Sequence, residues 1–233
     1  MDAGFLLLPE LAPNPAPSRR RAGPRAVPSA EGSTVTVRRL VPRETLFRAG
    51  DPATTVLEVM QGAVMVSRTL ADGRRQIVDV VGPGRLFGFA GGTRHDCTAI
   101  ALADTTVCAL DRDEIAGRPR LAQRLTQDAL AEIERLRGLA LALGRLSALE
   151  RVAGFLAALV PDEAARSAEI VVPLTRAEIA DHLGLTIETV SRNVTRLKRD
   201  GLFDEHRDGR ITLPDCRTLR RIARGQPEAI AAE

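Results

Sequence analysis

Residues 174–201 read LTRAEIADHLGLTIETVSRNVTRLKRDG, and they decide the fold. Thr175 and Glu178 stand three apart ahead of an apolar stretch, the capping-box spacing that opens a helix. Gly184 stops that helix, and Leu185 and Thr186 complete a turn short enough to start another. In the second helix Val190, Val194 and Leu197 fall on one face, while Ser191, Arg192, Arg196, Lys198 and Arg199 crowd the rest. A helix so basic suggests a nucleic-acid partner. Glu188, in its first turn, is a carboxylate that phosphates should repel.

The next residues, LFDEHRDGRITLPD at 202–215, form a hairpin pattern with Asp208-Gly209 at its tip. Helix, short turn, helix and hairpin together predict a winged helix-turn-helix. In such a module the N-terminal residues of the second helix meet base edges in the major groove. Glu188 can there accept from the exocyclic amine of cytosine, and Arg192 can fork onto guanine. Ser191 lies on the same face. The second reading of Glu188 is a first-turn acid that favours the helix dipole. Thr175, Thr186, Thr189, Arg196, Lys198, Arg199 and the wing's Arg207 and Arg210 are the candidates for the DNA backbone.

Upstream, a helical pattern spans 116–146. Ala122, Leu125, Ala129, Leu136, Leu139, Leu143 and Leu146 step by threes and fours like a coiled-coil seam, with Glu132 as the one break. The dimerisation residues expected from it are Leu125, Ala129, Leu136, Leu139 and Leu143, so the chain is its own expected partner. A further helix follows from Ser147. Residues 33–115 give short β-rich runs separated by Gly50-Asp51-Pro52, Gln61-Gly62, Asp72-Gly73 and Gly82-Pro83-Gly84, the texture of a closed β-roll. Residues 1–32, rich in Pro, Ala and Arg, are expected to be disordered. The expected domains are therefore that tail, a roll at 33–115, a dimer helix at 116–146, a DNA-binding domain at 147–224 and a short tail at 225–233. The fold class is α+β.

Composition narrows the function. Net charge is +3, Trp and Tyr are absent, and Lys198 is the sole lysine. Single-stranded nucleic acids ask for aromatic stacking platforms, of which this chain has few, with six Phe, whereas duplex DNA asks for none. Cys97, Cys108 and Cys216 are scattered and too few for a zinc or iron–sulfur framework, which fits a reducing compartment. No apolar run is long enough for a membrane span, so no membrane partner and a cytoplasmic location are expected. His95, His182 and His206 are the only histidines, and none sits in a nucleophile or metal motif, so no enzyme and no metal site are expected. His95, beside Asp96, reads as a surface residue. Cys216 is a possible redox residue if Arg217, Arg220 and Arg221 lower its pKa; otherwise it is a buried hydrophobe.

At LTRAEIADHLGLTIETVSR the chain resembles the Crp/Fnr transcription regulators, and FRAGDPATTVLEVMQGAVMVSR with DGRRQIVDVVGPGRLFGF is similar to that family's roll. The resemblance covers roughly 33–224 and implies a cyclic-nucleotide-binding-like roll, a dimer helix and a winged helix-turn-helix. Glu188, Ser191 and Arg192 match the E-x-x-S-R pattern of the Fnr/FixK branch, while Ile187 stands where the Crp branch has an arginine. The resemblance implies a homodimer on a palindrome like TTGAT, a four-base-pair spacer, then ATCAA. It implies RNA polymerase as a partner and activation of oxygen-limitation or related metabolic genes. The departures concern the signal. Residues 1–96 hold no cysteine for the Fnr cluster, Phe89 replaces the glutamate of the nucleotide pocket, and Arg94 is followed by His95 rather than Ser or Thr. A FixK-like protein without cofactor is implied; the alternative is a sensor binding haem, nitric oxide or a nucleotide in its roll.

Overall fold

The structure, a computed structural model, describes residues 25–28, 34–115, 117–160, 162, 164–206 and 210–226. Two compact units divide the chain within 11–133 and within 134–233. The first is the roll. β1 (Arg25–Pro28), β2 (Thr34–Leu40), β9 (Thr105–Asp111), β4 (Thr55–Gln61) and β7 (Leu86–Phe87) form one sheet in that order. β3 (Thr45–Phe47), β8 (Thr98–Ala101), β5 (Val64–Thr69) and β6 (Arg75–Val81) form the other. All pairings are antiparallel, as hairpin-linked short strands require. Alternation sends Leu57, Val59, Val64, Val81, Ala99 and Val107 into a common core. Gly62 turns β4 into β5 at φ 83°; a Cβ there would stand 2.5 Å from the Asp104 carbonyl, so only glycine fits.

β1 corrects the expectation of disorder through residue 32. Arg25–Pro28 pairs antiparallel with β2, from Arg25 opposite Val37 to Pro28 opposite Thr34. An edge strand needs only one donor row, so its terminal proline is tolerated. The rest of the expected tail, with Arg19–Arg21, lies outside the described residues.

A short α1 (Arg112–Ile115) leads to the long α2 (Pro119–Arg145). Proline at the first position needs no amide partner there. One face of α2 grips the loop between β6 and β7. Arg124 bonds Glu58 at 2.7 Å and the Gly84 carbonyl at 2.9 Å. Asp128 accepts the Leu86 amide at 3.3 Å, and Glu132 stands 3.7 Å from Arg85. Arg85 in turn donates to Asp79 at 2.6 Å and to the Val80 carbonyl at 3.0 Å. Residues 124, 128 and 132 recur every four, so all three share this face. Glu132 breaks the leucine pattern because it serves the roll.

The second unit begins with α3 (Ala148–Ala158). Its Ser147 cap accepts from the Glu150 amide at 3.4 Å, and Glu150 accepts back from the Ser147 amide at 2.7 Å. β10 (Ala168–Val171), β12 (Arg210–Leu213) and β11 (Asp204–Glu205) make a small sheet; α4 (Arg176–Leu183), α5 (Ile187–Arg199) and α6 (Cys216–Ala223) complete the unit. The wing tip, with Arg207, Asp208 and Gly209, lies outside the described residues, as does Pro161. Arg151 of α3 reaches three carbonyls: Leu146 at 2.9 Å, Leu143 at 2.7 Å and Leu183 at 2.9 Å. It thereby ties the end of α2 to the end of α4.

Gly184 ends α4 in the left-handed conformation, φ 60° and ψ 41°, with Leu185 donating back to the Ala180 carbonyl at 3.0 Å. A Cβ at 184 would stand 3.0 Å from the Leu143 side chain. Gly184→Ala should cost about 1–2 kcal/mol, since an L residue pays that much in this conformation. Urea unfolding checks this; an unchanged midpoint contradicts the assignment.

Candidate nucleic-acid interface

The rotation of α5 decides what it presents. Val190, Val194 and Leu197 are buried, which leaves Ile187, Glu188, Ser191, Arg192, Thr195, Arg196, Lys198 and Arg199 exposed. Thr186 caps the helix, accepting the Thr189 amide at 3.2 Å. Its hydroxyl also lies 3.1 Å from that of Thr189, which accepts from Arg192 at 3.2 Å. Arg192 is thus drawn back along the helix toward its N-terminus. Glu188 is fully exposed, and bonding by its own backbone amide, then by the Thr186 hydroxyl, holds its carboxyl below the usual range; Arg192 adds to this. It is an anion at neutral pH, ready to accept from a base amine.

The cations expected on the DNA backbone are already engaged. Arg196 and Arg199 meet Asp200 at 3.7 and 3.3 Å, and Lys198 meets Asp204 at 3.3 Å. Arg210 meets Glu169 at 3.2 Å. Arg176, which sequence reasoning passed over, meets Glu205 at 3.0 Å with its guanidinium 5.8 Å over the Phe203 ring. Thr175 needs a correction. Its hydroxyl donates to Glu178 at 3.0 Å and accepts the Glu178 amide at 3.2 Å, so the capping box has taken the proton a phosphate would want. Thr189 is half-buried and Thr186 exposed.

The dimerisation set is also corrected. Leu125 packs against the roll cluster of Val56, Leu86, Cys108 and Leu110. Leu139 is buried by its own chain, and Leu143 is half-buried beneath Gly184. Of the five, Leu136 is exposed and Ala129 half-exposed. The large apolar side chains that α2 leaves in solvent are Leu130, Ile133, Leu136 and Leu141. Leucine spacing gives the helix its apolar period; it does not show which leucines the chain covers itself.

In the roll, Arg94 donates to the Gly50 carbonyl at 2.5 Å, and Phe89 packs with the same cluster as Leu125. His95 is buried, not on the surface. Its backbone bonds Asp51 at 2.9 Å and Gly50 at 2.8 Å, and its ring stacks on Phe47 with centroids 3.7 Å apart. Burial first, then the Arg112 charge, pushes its pKa down, so the imidazole is neutral at pH 7. Among the described residues, no cluster of three metal-ligating side chains occurs and no helix is long and apolar enough to cross a membrane.

A β-roll, a long amphipathic helix and a winged helix-turn-helix with a basic second helix define a DNA-binding transcription regulator. The Crp-like helix-turn-helix domain matches residues 150–222 and the cyclic nucleotide-binding domain residues 37–117. The nitrogen fixation regulation protein FixK of Rhizobium meliloti is 38% identical over 189 residues, 81% of this chain and 82% of that protein. The transcriptional activatory protein AadR of Rhodopseudomonas palustris is 38% identical over 170 residues, covering 70% of this chain and 71% of that one. The structure of FixK2 from Bradyrhizobium japonicum superposes with TM-score 0.73 at 33% identity, covering 81% of this chain and 96% of that chain. The chain belongs to the Crp/Fnr family of transcription regulators and is FixK-like within it.

Redox control through Cys216 is not supported. The residue is fully buried, and its thiol lies 3.7 Å from the Leu213 carbonyl. Burial raises its pKa and outweighs the opposing charge of Arg220. Cys108 is raised by burial and then by Glu58, and Cys97 is pushed up to about 12 by burial and then by Asp96. A thiolate is the reactive form, so all three thiols should resist a disulfide reagent at mildly alkaline pH and react at once after unfolding. Fast labelling of one thiol in the native protein would contradict this. Cys216→Ser should cost about 1–3 kcal/mol by placing a hydroxyl in an apolar site.

Proposed function

We propose that this regulator acts as a homodimeric activator on a palindrome resembling TTGAT, four base pairs, ATCAA. The carrying observation is the exposed group Glu188, Ser191 and Arg192 at the start of α5, turned outward by the burial of Val190 and Leu197. Arg192 takes the guanine and Glu188 the cytosine amine, so the two can read one base pair together. Arg196, Lys198, Arg199 and Arg210 supply the backbone contacts, with Thr186 at the cap. Two-fold protein symmetry is the natural match of a palindromic site. The exposed row Leu130, Ile133, Leu136 and Leu141 on α2 supports the self-association. RNA polymerase is the second partner of an activator, and genes of oxygen limitation or related metabolism are the proposed targets.

The roll is proposed to work without an effector. Arg94 is spent on the Gly50 carbonyl and Phe89 is packed inward, so neither is disposed to grip a cyclic nucleotide. The purified protein should bind its palindrome in air, colourless and with nothing added. A Soret band, or a need for cyclic AMP, overturns that.

Glu188→Ala should cost about 1–3 kcal/mol of discrimination per half-site at the contacted base pair. Competition with single-base variants of the palindrome checks it; undiminished preference at that position contradicts the readout. Joint replacement of Ile133 and Leu136 by Asp should give monomers on sedimentation, with tight binding lost and the winged helix still folded. A wild-type protein monomeric at micromolar concentration defeats the dimer.

A further inference from the structure

The interface divides its cations into two kinds. Arg192, placed for base readout, bonds a neutral hydroxyl and makes no ion pair among the described residues. Arg196, Lys198, Arg199 and Arg210, proposed for phosphates, are each held by a carboxylate, and so is Arg176, a partly exposed cation at the start of α4 that can join them. Two of those carboxylates, Asp204 and Glu205, form the whole of β11 and reach to two different helices: Lys198 at the end of α5 and Arg176 at the start of α4. Their backbone is fixed. Phe203 beside them is buried, Leu202 donates to the Leu197 carbonyl at 2.9 Å, and Asp204 and Glu205 pair with Thr212 and Ile211 of β12.

We infer that Asp204 and Glu205 are specificity-determining residues, which compete with DNA phosphate for Lys198 and Arg176 and so suppress binding to random sequence. The inference rests on the proposed DNA readout. Binding to random DNA draws almost all its free energy from phosphate contacts, through release of condensed counterions. A cation already neutralised by its own carboxylate releases fewer ions when it meets a phosphate, and the tethered carboxylate remains beside the DNA. The exposed pair is itself weak, so a phosphate held at close range can displace it. A docked recognition helix brings phosphates to fixed, short distances. A complex in loose register holds them farther off, where a carboxylate at 3.0–3.3 Å wins. The base-reading arginine feels the charge of Glu188 one turn away but is not clamped by it in a close ion pair like those of Lys198 and Arg176.

The test compares wild type with Asp204→Asn/Glu205→Gln in the full-length chain. Affinity is measured on a duplex bearing the palindrome and on a random duplex of equal length, over a range of salt. The variant should bind random DNA about tenfold more tightly, with four weak pairs removed per dimer, and with a steeper salt dependence. Its affinity for the palindrome should rise by about threefold or less, so discrimination falls. Asp204→Glu, which keeps the carboxylate, should keep wild-type discrimination. Equal tightening on both duplexes overturns the proposal, as does no change on random DNA in a variant that unfolds at the wild-type temperature. A wild-type protein that does not prefer the palindrome at all overturns the underlying reading instead, a result seen before any variant is made.

Discussion

The burial of Val190, Val194 and Leu197 fixes the rotation of α5 about its own axis, and the face that this helix presents to solvent follows from that angle. A rotation of one residue, about 100°, would bring Ser191 toward the core and a valine into the groove. The stripe is narrow and entirely aliphatic, so the helix gains its position from packing and not from its polar face. Thr186 and Gly184 then set where the helix begins. Three independent local devices, a cap, a left-handed glycine and an apolar stripe, agree on one placement, and such agreement across levels marks a well-specified element.

Charge is used differently in the two units. In the roll it joins elements: Arg124, Asp128 and Glu132 hold the loop at 82–86, and Arg85 passes the connection inward to Asp79. These groups are partly buried, where removing one partner strands the other. In the DNA-binding unit the pairs Arg176–Glu205, Lys198–Asp204 and Arg210–Glu169 are exposed or partly exposed and individually weak, whereas Asp200, which meets Arg196 and Arg199, is largely buried. Burial decides the thiols as well. Cys216 has arginines nearby, yet desolvation governs its titration.

What could be read from the sequence was what is local. The capping box at Thr175 and Glu178, the turn at Gly184 and the hairpin strands of the roll lie within a few residues of their partners, and the structure has them as read. Apart from Thr175, whose hydroxyl is taken by the capping box itself, the errors involve partners distant in sequence. Leu125 and Leu139 keep good coiled-coil spacing, but spacing does not say whether the covering surface belongs to the same chain. His95 sits between Arg94 and Asp96 and reads as surface, yet backbone bonds to residues 50 and 51 carry it inside. Arg25–Pro28 has a disordered composition and is ordered by the free edge of β2. Glu132 was the informative anomaly: a charge interrupting a seam had a partner elsewhere.

Arg151 has a consequence for the geometry of a complex. By holding carbonyls at Leu143, Leu146 and Leu183 together, it welds the last turn of α2 to the turn between the two helices of the DNA-binding motif. The joint at Ser147 is thereby bridged by three hydrogen bonds from one side chain. In the homodimer proposed above, the distance between the two copies of α5 would depend on where the α2 helices cross. Successive major grooves of a duplex lie about 34 Å apart, so a joint tied in this way would link the spacer length of the proposed palindrome to the protein's own dimensions.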